Sequence, residues 1–101
     1  MKLKAKQKKF LKSLVNNETP IIQIGKEGVS SSILKHIDEV LNHKELVKIR
    51  ILDTMSFPLS ETVEEVSKKT NSYVLRTIGK VFILYRSSDV LDEENKILLP
   101  M

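Results

Sequence analysis

The sequence predicts an α/β (α+β) fold: a mixed four-stranded sheet with helices packed against it, in the order α-β-α-β-α-β-β. Three observations carry this. Apolar residues recur at helical spacing in three segments and at strand spacing or in short runs in four. The two kinds of segment alternate along the chain until the end, where two strand-like runs flank Gly79-Lys80, a two-residue hairpin signal. The length of 101 residues suits a single domain spanning 1–101, and no repeat or Pro/Gly-rich linker divides it.

Residues 2–15 read as the first helix, with Leu3, Phe10, Leu11, Leu14 and Val15 on one side and Asn16 and Asn17 as stop signals. Pro20 then opens a short apolar run, Ile21 to Ile24, which stops at Gly25 and has the length of a buried strand. The second helix covers 30–43. Ser30 is its N-cap candidate, and Ile33, Leu34, Ile37, Val40 and Leu41 form its apolar stripe.

From Leu46 to Leu52 the pattern alternates, with Val47, Ile49 and Ile51 facing one way and Lys48 and Arg50 the other. Pro58 and Ser60 introduce a third helix carrying Leu59, Val63 and Val66. Its early Glu61, Glu64 and Glu65 and late Lys68 and Lys69 complement the helix dipole and allow two i,i+4 pairs. Asn71 is placed to end it in a left-handed conformation. Tyr73–Ile78 and Val81–Arg86 make the closing hairpin. Residues 87–101 read as an acidic turn (Asp89, Asp92, Glu93, Glu94) followed by a docking segment with Ile97, Leu98 and Leu99.

A hydrophobic content of 41% supports a globular core. Cysteine is absent, which excludes disulfides and thiolate metal sites and suits a reducing cytosol. The longest apolar run, Val81 to Tyr85, is five residues, far below the ~20 that cross a bilayer. The basic N-terminus has no apolar segment behind it of the kind a secretory signal requires.

The net charge of +4 is modest, and its placement carries more information. Lys2, Lys4, Lys6, Lys8, Lys9 and Lys12 precede the first acid, Glu18. On a helix, all but Lys4 spread over an arc of roughly 160° opposite the apolar stripe. Like charges at i,i+4 repel mildly. An ordinary solvated face mixes signs, and this one does not, so it points to a polyanion, whether nucleic acid or an anionic membrane surface.

A second set is Gly25-Lys26-Glu27-Gly28, between a strand and the second helix. The glycines permit a tight turn and close approach, the helix start favours a phosphate, and Lys26 adds a charge. The further glycine and Lys-Ser/Thr of a P-loop are missing, so nucleotide hydrolysis is not indicated. A third set is Lys48, Arg50, Arg76, Lys80 and Arg86 in or between strands. It would extend a basic surface across the sheet, or else serve solubility and edge protection.

Catalytic signals are thin. His36 and His43 are two turns apart on one helix, roughly 10 Å, too far to share a metal. Ser30 to Ser32 are better explained by capping than by nucleophilic attack. Phe10, Phe57, Tyr73, Phe82 and Tyr85 fall mostly at core positions, which does not support an aromatic stacking platform.

Together these segments resemble a known family. Ile24-Gly25-Lys26-Glu27-Gly28-Val29-Ser30 is similar to the glycine loop and helix start of the CRM domain (chloroplast RNA splicing and ribosome maturation), whose free-standing bacterial form is the YhbY family. Lys6-Gln7-Lys8, Glu45-Leu46-Val47-Lys48-Ile49, Ile78-Gly79-Lys80, Leu84-Tyr85-Arg86 and Leu98-Leu99-Pro100 also resemble it, in the right order over residues 3 to 100. The resemblance implies a fold like the C-terminal domain of translation initiation factor three. It further implies binding of structured RNA and association with precursors of the large ribosomal subunit.

Carried over, Gly25, Lys26, Glu27 and Gly28 form the loop at the RNA backbone, with the Glu27 charge opposing. The six first-helix lysines flank it, and Lys48, Arg50, Lys80 and Arg86 extend it. The expectation is therefore a cytoplasmic, monomeric RNA-binding domain that is not an enzyme. It needs no cofactor or metal, takes no small-molecule substrate and has no membrane partner. The rival reading is a module that docks on a ribosomal protein or assembly factor through the sheet or the tail. The phosphate-binding reading places the glycine turn and the opening helix side by side as one patch.

Overall fold

The computed structural model describes residues 3–15, 19–25, 28–52, 59–92 and 96–100. Lys2, Lys26 and Glu27 of the expected site lie outside the described residues, as do Asn16, Asn17, Phe57, Pro58, Glu93 and Glu94. The elements are α1 (Ala5–Leu14), β1 (Ile21–Ile24), α2 (Ser31–Lys44), β2 (Leu46–Ile51), α3 (Leu59–Thr70), β3 (Tyr73–Ile78) and β4 (Val81–Tyr85). This is a single α+β domain with the expected order. The sheet runs β1-β2-β4-β3, with β1 parallel to β2 and the other pairs antiparallel.

Each face of the sheet has its own core. On the front, Ile22 and Ile24 (β1), Val47, Ile49 and Ile51 (β2) and Phe82 and Leu84 (β4) meet Ile37 and Leu41 of α2 and Val63 and Val66 of α3. On the back, Leu46, Leu75, Ile83 and Tyr85 meet Leu11 of α1, with Leu3, Leu14, Val15, Ile97 and Leu99 packed around them. A ten-residue helix is marginal alone, so α1 owes its stability to this back core.

The capping expectations hold in detail. Ser30 Oγ accepts from the Ile33 amide at 3.2 Å, Asn71 is left-handed with φ 52°, and the Glu64–Lys68 and Glu65–Lys69 pairs close at 2.8 and 2.9 Å. The Lys68 ammonium holds the Glu64 carboxyl below its ordinary range, and Glu64 raises Lys68 in turn.

Two features depart from the expected pattern. Strand β1 is an edge strand with one face open, so Ile21 is 47% exposed while Ile22 and Ile24 are buried. In β3 the pairing steps from Val74↔Leu84 to Arg76↔Ile83, a bulge that leaves Leu75 between them. Leu75 and Arg76 therefore both serve the back face.

The chain after β4 is anchored by Glu45, which is 1% exposed and left-handed (φ 63°) at the C-terminus of α2. Its carboxylate accepts the Ser88 amide at 2.6 Å and the Ile97 amide at 2.7 Å. Gln7 of α1 completes the tie: its Nε2 donates to the Pro100 carbonyl and its Oε1 accepts the Lys4 amide. Burial pushes the neighbouring Tyr85 phenol up, and the Glu45 charge adds to that.

A candidate polyanion-binding surface

The back of the sheet is covered at one end only. α1, Ile97 and Leu99 pack with Leu46, Tyr73, Leu75, Ile83 and Tyr85. From Ile83 outward lie two rows that register across all four strands. One is Ile21, Lys48, Ile83, Arg76; the other is Gln23, Arg50, Val81, Ile78. Within these rows Ile21, Gln23, Arg50, Arg76 and Ile78 are exposed and Lys48 is half-buried.

The charge pattern of this face is one-sided. The four strands contain three charged residues, Lys48, Arg50 and Arg76, and all three belong to the back rows. No strand contains a carboxylate. Beside this face stand the α1 N-cap residue Lys4 and, within α1, Lys6, Lys9 and Lys12, all exposed, and Lys8, half-buried with Nζ 5.4 Å from the centre of the Tyr73 ring. α1 also lacks an acid. Cations of one sign within a Debye length add their fields, and salt between them is the main relief.

The glycine turn occupies the opposite corner. Gly28 is buried and left-handed (φ 72°), a conformation that favours glycine, and its amide donates to the Gly25 carbonyl at 2.9 Å. That amide is thus taken internally. Leu52 donates to the Ile24 carbonyl and Ile51 to the Lys80 carbonyl, so the turn and the Gly79-Lys80 hairpin tip share one end of the sheet.

α1 packs against β3, the edge strand farthest from β1, so the turn and the lysine helix are not side by side. Three strand spacings, roughly 14 Å, separate the two edges, and the open basic rows fill the interval. The reason is topological: strand order, which the linear sequence does not state, places β1 and β3 at opposite edges.

Arg86 departs from the expected site. Its guanidinium donates from Nη1 to Asp38 Oδ1 at 2.5 Å and to the Thr70 carbonyl, and from Nη2 to the Asp38 carbonyl and Asn42 Oδ1. The side chain is 15% exposed and ties β4 to α2 and α3. A cation so enclosed is a clamp, not a surface contact. Arg86→Ala is expected to lower stability by about 2 kcal/mol, read by urea unfolding, while leaving the salt dependence of any polyanion binding unchanged.

What one-dimensional reasoning missed were Ile21, Gln23 and Ile78 as neighbours of the strand cations. Their shared face follows from sheet register, and for Arg76 from the bulge, neither of which has a sequence signature here. His36 and His43 are both exposed. Among the described residues no group of three or more His, Cys, Asp or Glu could hold a metal, and no helix is long and apolar enough to cross a membrane.

Comparison with known proteins adds an independent line. The family model of the CRS1 / YhbY (CRM) domain matches residues 3–86. The chain is 37% identical over 98 residues to the Bacillus subtilis (strain 168) protein named "Probable RNA-binding protein YqeI", covering 97% of this chain and 99% of that one. It is 34% identical over 98 residues to a Haemophilus influenzae protein named "RNA-binding protein", covering 97% and 95%. The solution structure of Staphylococcus aureus SAV1595 superposes with a TM-score of 0.73 at 37% identity, over 98% of this chain and 100% of that one.

Proposed function

This chain belongs to the CRS1 / YhbY (CRM) domain family, and from that premise we propose that it binds structured RNA by its phosphate backbone. The observation that carries the reading is the single-signed surface: the α1 lysines and the back-face cations Lys48, Arg50 and Arg76, with no carboxylate in α1 or in any strand. The glycine turn and Lys80 mark the far end of that surface, and Lys26 adds a charge by sequence. Two relatives named for RNA binding support the same class of ligand.

We take the RNA to be ribosomal and the setting to be large-subunit assembly in the cytoplasm, with the domain acting as a monomer and without a cofactor. No catalytic constellation is assigned. The rival reading is docking on a protein through the sheet or the tail; the tail is less favoured because Ser88, Ile97 and Pro100 have internal partners, and the sheet because its exposed charges are of one sign.

The experiment is a titration of a folded ribosomal RNA fragment at several salt concentrations. If about five phosphates are neutralised, affinity falls by roughly 100- to 500-fold between about 50 and 200 mM salt, at a slope of about 0.7 to 0.9 per contact. A flat response would rule the reading out.

A further inference from the structure

The open rows on the back of the sheet hold more than cations. Ile21 is 47% exposed and Ile78 52% exposed, and they stand at opposite edges of the same two rows as Lys48, Arg50 and Arg76. Half-exposed isoleucines scattered singly need no explanation. These two flank a face whose charged side chains are all positive, and they lie between α1 and the hairpin tip.

A duplex RNA backbone presents charge and ribose edges to such a face but offers little to large aliphatic groups. Unpaired nucleotides offer both: a phosphate for each cation and a base or sugar face for each isoleucine. The size also fits, because one face of a four-stranded sheet accommodates two or three bases. Among the described residues no aromatic side chain is exposed there, so the bases would lie against aliphatic carbon and the arginine planes, without sequence preference.

We propose that this exposed sheet face is a binding site for a short single-stranded RNA segment adjoining the structured RNA held by α1 and the glycine turn. The proposal rests on the RNA-binding reading above and names its ligand more closely: a helix with an unpaired flank. Arg50 and Arg76 sit in different rows and on non-adjacent strands, so a strand crossing the sheet meets them in succession. Gln23, which registers beside Arg50, supplies an amide to a ribose or phosphate oxygen.

The test compares one RNA hairpin with the same hairpin carrying a four-nucleotide unpaired flank, on the full chain. The flank should tighten binding about tenfold near 0.15 M salt and steepen the salt slope by about 1.4, the share of two phosphate contacts. Arg50→Gln with Arg76→Gln should erase that gain, so that the variant binds the flanked and the bare hairpin alike. Ile21→Ser with Ile78→Ser should reduce the gain without changing the slope. Both pairs are surface changes, and unchanged thermal unfolding confirms that the fold persists.

If the bare hairpin binds and the flank adds nothing, this inference is overturned while the RNA-binding reading stands. If neither RNA binds, the RNA-binding reading itself fails. Phosphatidylserine vesicles serve as the last arm: binding lost through the same arginine pair would reassign the face to an anionic lipid surface.

Discussion

Replacing Glu45 with alanine is expected to lower the unfolding free energy by about 3 kcal/mol and to release residues 88–97 from the body of the domain. Glu45 is 1% exposed, and its carboxylate receives two backbone amides, Ser88 and Ile97. Hydrogen bonds to an ionised acceptor contribute more than neutral ones, each about 1.5–3 kcal/mol, and the burial of the charge offsets part of that. For a domain of this size the melting temperature should fall by roughly 12–24 °C.

Glu45→Gly separates the two roles of this position. Glycine also removes the carboxylate but adopts the left-handed backbone at no steric cost, which recovers about 1 kcal/mol. The expected order of stability is wild type, then Glu45→Gly, then Glu45→Ala, measured by urea unfolding. Limited proteolysis should cut the variants after β4. If Glu45→Ala were as stable as the parent, the anchoring role would be wrong.

Neutralising the exposed lysines of α1 should have the largest effect on RNA. With Lys4, Lys6, Lys9 and Lys12 all changed to glutamine, affinity near 0.15 M salt should fall by roughly 200- to 1,000-fold if each side chain holds one phosphate. The slope against salt should shrink by about 2.8 to 3.6 in the same experiment.

Glutamine matches lysine in helix propensity, and the Gln7 contact at the helix start uses the Lys4 backbone, so the fold should be unaffected. Lys8 is kept because it lies over Tyr73. The loss should be similar across unrelated RNA sequences, since phosphate contacts position without specifying. A slope that stays at its original value would remove α1 from the interface.

Much of the architecture was legible because local and global signals agree. Ser30 before an apolar stripe, Asn71 after one, and Gly79-Lys80 between alternating runs each have a mechanism that acts within a few residues. The lysines of α1 were equally legible, since a helical period and a run of like charge need no tertiary knowledge.

The rest required the third dimension. Glu45 gave no sign of being a buried anchor, because its partners lie 43 and 52 residues away. Arg86 read as one more strand cation until Asp38, Asn42 and Thr70 closed around it. The placement of the glycine turn depended on which strands are edges, and hydrophobic periodicity does not encode edge position. Arg76 joined Lys48 and Arg50 on one face only through the bulge, which changes the phase of β3 midway.

The back core has a bearing on how the fold closes. Its front counterpart is built from residues 22 to 84. The back layer unites Leu3 and Leu11 with Ile97 and Leu99, contacts of longer sequence separation, so its closure carries the larger loop entropy. Contacts of that reach slow folding, and α1 is expected to dock after the front core has formed, an order that a low φ-value for Leu11→Ala would bear out.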